Sequence, residues 1–134
     1  MSKPPPTSRR VKALEILERL DASATGPVSA NLDQVAPELL ELVFGFAFVD
    51  VLDRPGLDLK TREMLTVAAL TTMGTAPAQL EFHIRAAMNV GVTREEIIEI
   101  ILQMAVYAGV PAFMNGIAVA KKVFAAQDQS SPSE

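Results

Sequence analysis

The chain has 134 residues, of which 49% are hydrophobic but only 5% aromatic, and it contains neither cysteine nor tryptophan. Its formal net charge is -4 at pH 7, and its 12 lysines and arginines are scattered, which argues against a nucleic-acid partner. The lack of cysteine excludes disulfides, thiolate metal ligands and thiol redox chemistry, and a single histidine is too few for an ordinary zinc site. No metal is therefore expected, and the length fits one domain.

The two ends of the chain are predicted to be disordered tails. Residues 1–7 include three consecutive prolines, and residues 127–134, QDQSSPSE, contain no large apolar side chain. Residues 8–126 between them are predicted to form a single helical domain. The N-terminal residues lack the apolar run of a signal peptide, which predicts a cytoplasmic protein.

The first part of the chain predicts two helices separated by a loop. Ser8 can cap the first helix, whose apolar residues recur at helical spacing. These residues are Val11, Leu14, Leu17 and Leu20. Residues 22–34 are predicted to be a loop, after which Pro37 can begin a second helix through ELLELVFGFAFVDVL.

Turn residues divide the next part of the chain into two helices. Arg54-Pro55-Gly56 reads as a turn, and Asp58 can cap a third helix, LKTREMLTVAALTTM, that Gly74 ends. A fourth helix is predicted to begin at Pro77 and to end at Gly91. The connection between these two helices is short, so they should run antiparallel.

Two further helices complete an all-α fold of about six helices. Thr93 and Glu96 predict a capping box for the fifth helix, REEIIEIILQMAVYA, and the sixth is expected over about 112–126. The stretch 100–120 carries no charge, yet the Gly109-Val110-Pro111 break favours two helices over one membrane span. No segment alternates for long enough to predict a strand.

The fifth helix carries apolar residues on nearly its whole circumference. They are Ile97, Ile98, Ile100, Ile101, Leu102, Met104, Ala105 and Val106. A surface helix in a domain of this size should show a polar side. We therefore expect a homo-oligomer in which this helix is buried between subunits.

His83 is the only histidine, and its position on the predicted hairpin suggests a carboxylate partner. Glu63 lies eleven residues before Gly74 and His83 nine residues after it, so the two should be level along the antiparallel helices. Such a pair would orient the imidazole for proton transfer. The alternatives are a buried His83 satisfied by a backbone carbonyl, and a solvent-facing Glu63 paired with Lys60.

Other polar residues could line a substrate pocket or serve structural roles. Gln103 and Tyr107 are four residues apart on the fifth helix and share a face, where they could line a pocket or tie subunits together. Arg85 could pair with Glu81 or contact substrate in a neighbouring subunit. Arg62 could be solvated or could clamp a carboxylate.

Three stretches together resemble the carboxymuconolactone decarboxylase family, in its gamma-carboxymuconolactone decarboxylase branch. They are RPGLDLKTREMLTVAAL, LEFHIRAAMNVGVTREEIIEIIL and VYAGVPAFMNGIAVAKKVF, and the resemblance covers approximately 44–125. It implies a helical bundle related to alkylhydroperoxidase D, assembled as a trimer or hexamer. It also implies cofactor-free loss of carbon dioxide from a carboxylated butenolide.

The resemblance also assigns candidate site residues and shows where this chain departs from the pattern. The family histidine and arginine correspond to His83 and Arg85, and its Tyr-Ala-Gly-x-Pro corresponds to 107–111. The peroxidase relatives have cysteines where Ala76 and Gln79 stand here, so thiol peroxidase activity is excluded. A second histidine, frequent in the decarboxylases, is replaced by Gln103. Their aromatic-rich approach to the RPGL turn is here FAFVDVLD.

The sequence therefore predicts a cofactor-free carboxy-lyase acting on a carboxylated butenolide similar to 4-carboxymuconolactone. His83 would donate the proton and Glu63 would orient it. The substrate-binding candidates are Arg62, Arg85, Gln103 and Tyr107. The alternatives are an isomerase or hydrolase of a related lactone or enol acid, and a non-catalytic helical oligomer that binds a small acid.

Overall fold

A computed structural model describes residues 7–130, and these residues form helices and short connections without any strand. The α-helices are α1 (Ser8–Leu20), α2 (Thr25–Val35), α3 (Leu59–Met73), α4 (Pro77–Asn89), α5 (Arg94–Ala108) and α6 (Val110–Ser130). A 3-10 turn at Ala22–Ala24 precedes α2, and a π-helix at Leu40–Leu52 follows it. The all-α prediction is confirmed. The remaining residues of the predicted tails, 1–6 and 131–134, lie outside the described part.

The helices group into two compact units that meet in sequence at Leu59 and Lys60. The first unit contains α1, α2 and the π-helix, and the second contains α3 to α6. The single domain over 8–126 stays a prediction.

Two predictions for the first unit are wrong, namely the capping residue of α1 and the loop over 22–34. Thr7, not Ser8, caps α1, because its side chain accepts a hydrogen bond from the backbone N–H of Arg10 at 3.1 Å. The stretch 22–34, predicted to be a loop, is largely helical. Its glycine and proline fall in the first turn of α2, where backbone N–H groups have no helical partner in any case. An ion pair of 3.0 Å between Arg10 and Asp33 also ties α2 to α1.

The second predicted helix exists, but it begins at Leu40 rather than Pro37 and has π-helical hydrogen bonding. Its buried residues are Leu40, Gly45 and Phe48. A Cβ at Gly45 would lie 2.5 Å from Nε of Arg9, so the glycine allows that side chain to cross the helix. Arg9 then pairs with Asp50 at 2.7 Å, and this contact lowers the pKa of the Asp50 carboxyl.

The second unit follows the predicted helices closely. The bounds of α3 and α5 match the prediction, and α4 begins at Pro77 as expected. Glycines at the helix ends adopt positive φ, at 69° for Gly74, 106° for Gly91 and 94° for Gly109. The buried core joins all four helices. It comprises Val67, Leu80, Ile84, Ala87, Val92, Ile97, Ile101, Ala120 and Val123.

Helix α6 is longer than predicted at both ends. It begins at Val110 because Pro111 is tolerated in a first turn, and it continues to Ser130, through four residues predicted to be tail. Arg94 contacts the C-terminal part of α6. Its guanidinium lies 2.7 Å from Asp128, which lowers the pKa of that carboxyl, and 5.0 Å from the ring centre of Phe124. Among residues 7–130, no helix combines the length and apolar character that a membrane span requires.

Candidate active site

The hairpin of α3 and α4 brings the only histidine onto a carboxylate. His83 Nδ1 lies 2.8 Å from Oε2 of Glu63, although twenty residues separate them in sequence. The two residues, predicted to lie level on antiparallel helices, are therefore in direct contact. The partner of the histidine ring is a carboxylate, so the alternative of a backbone carbonyl partner is wrong.

Glu63 is completely buried, whereas the His83 side chain keeps 18% of its surface exposed. The alternative pairing of Glu63 with Lys60 is wrong, because the ammonium of Lys60 lies 3.8 Å from Glu96 instead. The carboxylate thus faces the interior of the unit and the imidazole reaches its surface. Phe82 contacts the imidazole of His83 in an edge arrangement, with the two ring centres 5.0 Å apart.

The contact determines which histidine nitrogen can exchange a proton. When Glu63 is ionised it can only accept, so Nδ1 donates to it and holds its hydrogen. The second ring nitrogen, Nε2, has no hydrogen-bond partner in the described part of the chain. Exchange with a bound molecule can therefore take place at Nε2, as in other sites where a carboxylate orients a histidine.

The second carboxylate oxygen is an unusual feature of the pair. Glu63 Oε1 is buried and has no hydrogen-bond partner among residues 7–130. Burial of a carboxylate with a single partner costs stability, because the lost hydration is only partly replaced. An unsatisfied buried polar group in a native structure calls for an explanation, and a catalytic role is one. The pair is therefore the strongest candidate for catalysis on this chain.

The two candidate arginines lie on the helices of the hairpin. Arg85 pairs with Glu81 at 3.2 Å, which confirms the ion pair that helical spacing predicted. Glu81 also accepts from Lys122 of α6 at 3.1 Å, a contact that no sequence pattern predicted because the residues are distant in the chain. Arg62 is half-buried beside Glu63 in sequence. Their roles in substrate binding stay predictions.

Gln103 and Tyr107 were predicted to share a face of α5, where they could line a pocket or tie subunits together. Gln103 lines a groove of about 660 Å³ between Met64 and helix α5, and neither Tyr107 nor His83 contributes to its lining. The other lining residues are Glu95, Glu96, Glu99, Ile100, Leu102, Ala105 and Val106. Glu95, Glu96 and Glu99 make this groove acidic.

Apolar side chains remain exposed where α5 meets α6. We call this set the α5–α6 apolar face, and its members are Leu102, Val106, Tyr107, Val110 and Met114. The exposed fraction is 77% for Val106 and 76% for Tyr107. Only Ile97 and Ile101 of α5 are buried. The four helices of this unit therefore cover one side of α5, although its sequence is apolar on nearly all sides.

In the described part of the chain, no three histidine or acidic side chains come together as a metal site requires. The sequence pattern did not predict Phe82 as an aromatic neighbour of His83. Its only sequence signal is its position directly before His83, and adjacent helical residues do not normally face each other. The ring contact depends on the rotamers that packing selects.

The fold and the site together define a class: an all-α protein with a histidine–carboxylate pair on a helical hairpin and no cysteine beside it. Comparison with known families places it further. The profile of the carboxymuconolactone decarboxylase family matches residues 37–122, and this chain belongs to that family.

Three relatives are similar to this chain over more than half its length. A 4-carboxymuconolactone decarboxylase of Acinetobacter baylyi is 37% identical over 70% of this chain and 69% of its own. An uncharacterised 15.0 kDa protein of Paracoccus denitrificans is 38% identical over 71% of this chain and 69% of its own. A nitrosuccinic acid decarboxylase of Metarhizium robertsii is 40% identical over 61% of this chain and 57% of its own. Two of the three are thus named decarboxylases, which supports an enzyme of the carboxy-lyase class.

Proposed function

We propose that this protein is a cofactor-free decarboxylase of a carboxylated butenolide similar to 4-carboxymuconolactone, with His83 as the proton donor. The observation that carries the proposal is the 2.8 Å contact between His83 and the buried carboxylate of Glu63. Family membership and the two decarboxylase relatives support the reaction class.

Loss of carbon dioxide without a cofactor requires a substrate that can hold the electron pair of the broken bond. In a carboxylated butenolide, the lactone carbonyl is conjugated through the ring alkene and takes up that pair. The carbon–carbon bond to the carboxylate breaks, carbon dioxide leaves and a dienolate forms. The enzyme must then stabilise the negative oxygen and protonate a carbon.

His83 supplies that proton from Nε2. The doubly protonated ring is the donor, and Glu63 carries the compensating negative charge while it holds Nδ1–H. After transfer, the neutral ring keeps its hydrogen on Nδ1, and Nε2 takes a new proton from solvent. Glu63 is therefore a positioning residue, because it acts on the substrate only through His83.

The remaining roles belong to residues on the same two helices and on α5. Arg62 or Arg85 binds the substrate carboxylate, and Tyr107 or Gln103 stabilises the dienolate oxygen. Because Tyr107 is 76% exposed in the single chain, the proposal includes a homo-oligomer. A second copy covers the α5–α6 apolar face and completes the pocket, in a closed assembly such as a trimer or hexamer.

The test is an assay of carbon dioxide release and proton exchange across a panel of carboxylated lactones and beta-keto acids. We expect one carboxylated butenolide to be turned over, and His83→Gln to lower kcat about 100-fold to 10,000-fold. The far-ultraviolet circular dichroism and the assembly size should not change. A His83→Gln protein that stays folded and keeps kcat within a few fold of the parent would refute the assignment.

Glu63→Gln separates positioning from a structural role. The amide oxygen can still accept from Nδ1 but cannot balance the charge of the ring, so we expect a smaller loss of kcat and a displaced pH profile. Glu15→Gln, the same chemical change at an exposed position of α1, is the matched control and should leave both unchanged. A Glu63→Gln pH profile that coincides with that of the parent contradicts the positioning role.

A further inference from the structure

A second cavity, of about 310 Å³, lies beside the turn between α3 and α4. Its lining comes from both helices of the hairpin and from α6. The lining residues are Leu70, Thr71, Gly74, Ala76, Pro77, Leu80, Asn115, Gly116, Ala118 and Val119. In other proteins a dry cavity of about 150 Å³ holds benzene. The volume here is therefore sufficient for a molecule with one ring.

The absence of a side chain at Gly116 allows the buried Thr71 to form part of the cavity wall. A Cβ at this position would lie 2.9 Å from Cγ2 of Ile101 and 3.0 Å from Cγ2 of Thr71. Contacts this short would force α6 away from α3 and α5. Because residue 116 has no side chain, α6 approaches closely and Thr71 borders the cavity.

The polar groups on the wall specify the hydrogen bonding of a ligand. Thr71 is 2% exposed, and its hydroxyl donates to the backbone carbonyl of Val67 at 2.8 Å. Its proton is thus used, and the oxygen can only accept a further hydrogen bond. The side-chain amide of Asn115 has no hydrogen-bond partner among the described residues, so it can donate or accept.

The charge of the wall distinguishes this cavity from the groove along α5. None of the residues that line it is acidic or basic. A carboxylate placed here would lose hydration without gaining a cation, and it would face the acceptor oxygen of Thr71. The first turn of α4 borders the cavity and contributes a weak positive potential, which makes an anion the competing ligand for the test.

We infer that this cavity is a second small-molecule site, for a neutral molecule with one ring and one hydroxyl or N–H donor. The donor binds Thr71 Oγ1, the amide of Asn115 takes the remaining polar contact, and the apolar side chains of Leu70, Leu80 and Val119 cover the ring. The inference stands independently of the proposed decarboxylation, because His83 and Glu63 do not line the cavity.

The experiment compares phenol, toluene and benzoate as probes of the full-length protein, by chemical shift changes in two-dimensional NMR. We expect saturable binding of phenol with shifts confined to the lining residues. One net hydrogen bond should make phenol about 2-fold to 12-fold tighter than toluene. Benzoate should produce no saturable shift at these residues.

Variants identify the side chain that makes phenol bind more tightly than toluene. Thr71→Val keeps the shape of the side chain and removes the acceptor, so phenol should bind no better than toluene. Thr72→Val is the matched control, since Thr72 is exposed and next in sequence, and it should keep the preference. Val119→Phe should fill the space and abolish the binding of both probes. His83→Gln should bind phenol like the parent, which separates this site from the proposed active site.

Three results would each overturn the inference. One is benzoate binding at these residues as tightly as phenol, which would make the ligand an anion. The second is an unchanged preference for phenol in Thr71→Val. The third is no saturable shift with any probe up to its solubility. Should Val119→Phe fail to fold, the pair Thr71→Val and Thr72→Val still decides.

Discussion

The contact between His83 and Glu63 has an energetic cost that the fold has to offset. A carboxylate that is 0% exposed, with one oxygen unpartnered, has lost most of its hydration. Attraction to a single imidazole replaces only part of that loss. A pair of this kind is a poor stabilising device, which supports the proposed role of His83 in proton transfer.

A single and a double substitution at this pair should have opposite effects on stability. His83→Phe leaves Glu63 buried without a partner, so the free energy of unfolding should fall by about 3–5 kcal/mol. Glu63→Met combined with His83→Phe removes both polar groups at similar volume and should match or exceed the parent, by up to about 4 kcal/mol. Urea unfolding followed by circular dichroism measures both. A double variant less stable than His83→Phe alone would contradict the account.

The residue spacing was sufficient to predict that Glu63 and His83 lie level along the two helices. It did not show that they are in contact or that Glu63 is buried. The spacing on either side of Gly74 depends only on helical rise, which is the same for every sequence. The rotation of each helix depends on packing. Leu80 and Ile84 on α4 turn towards the core, and Val67 and Thr71 on α3 do the same, which brings Glu63 inward and His83 against it.

At the scale of helices, the capping residues and the glycines at the helix ends predicted the helix bounds of the second unit well. Thr93 and Glu96 form the predicted capping box, and the hydrogen bond from the backbone N–H of Thr93 lowers the pKa of the Glu96 carboxyl. A carboxyl whose pKa is lower in the folded state stabilises the fold at higher pH. That contribution is lost as the pH falls through the folded pKa.

We therefore predict that acid weakens the start of α5 through Glu96. As the pH falls below the ordinary pKa range of a glutamic acid, the free energy of unfolding should decrease. In Glu96→Gln this decrease should be smaller, because the amide keeps the capping hydrogen bond without titrating. Urea unfolding at a series of acidic pH values measures it. Glu95→Gln removes the same charge one residue earlier, and an equal flattening there would contradict the assignment to Glu96.

Two glycines should respond oppositely to the same substitution. Gly109 ends α5 at φ 94°, a conformation that an L side chain rarely adopts, so Gly109→Ala should destabilise the fold by about 1–3 kcal/mol. Gly26 lies in α2, and a Cβ added there would meet no atom within 4 Å, so Gly26→Ala should stabilise by about 0.4–1 kcal/mol. Thermal unfolding compares the two. A Gly109→Ala protein as stable as Gly26→Ala would show that the turn relaxes easily.

The first unit shows why helical signals alone were insufficient there. The stretch TGPVSANLDQV has the composition of a loop, because glycine, proline and small polar residues are typical of turns. Contacts with α1, including the Arg10–Asp33 ion pair, favour the helix instead. Similarly, an apolar run such as LELVFGFAFVDVL has no polar side from which the π-helical winding of its turns could be inferred.

For the whole molecule, the α5–α6 apolar face carries the prediction of assembly. Exposed apolar side chains grouped in this way are typical of surfaces that bind another protein copy. Val106→Glu would place a charge where the proposed interface is dry, so the assembly should dissociate towards the 14.4 kDa chain and lose activity.

Sedimentation velocity measures that change together with the decarboxylase assay. Gln129→Glu, which adds the same charge at an exposed position near the end of α6, should leave both the assembly and kcat intact. A parent protein that sediments as a single 14.4 kDa chain, yet is fully active, would contradict the proposal that a second copy completes the pocket.

The sequence by itself determined the helical class, the family, the ends of α3 and α5, and the candidate histidine with its carboxylate. These follow from local chemistry: caps, glycine turns and helical spacing act over a few residues, and the family motifs lie in continuous stretches. Tertiary structure alone decided that Glu63 is sealed from solvent while His83 remains accessible, that α2 is a helix, and that Gly116 brings Thr71 to a cavity. Burial, helix rotation and close approach depend on which surfaces pack together, and residues far apart in the chain create them.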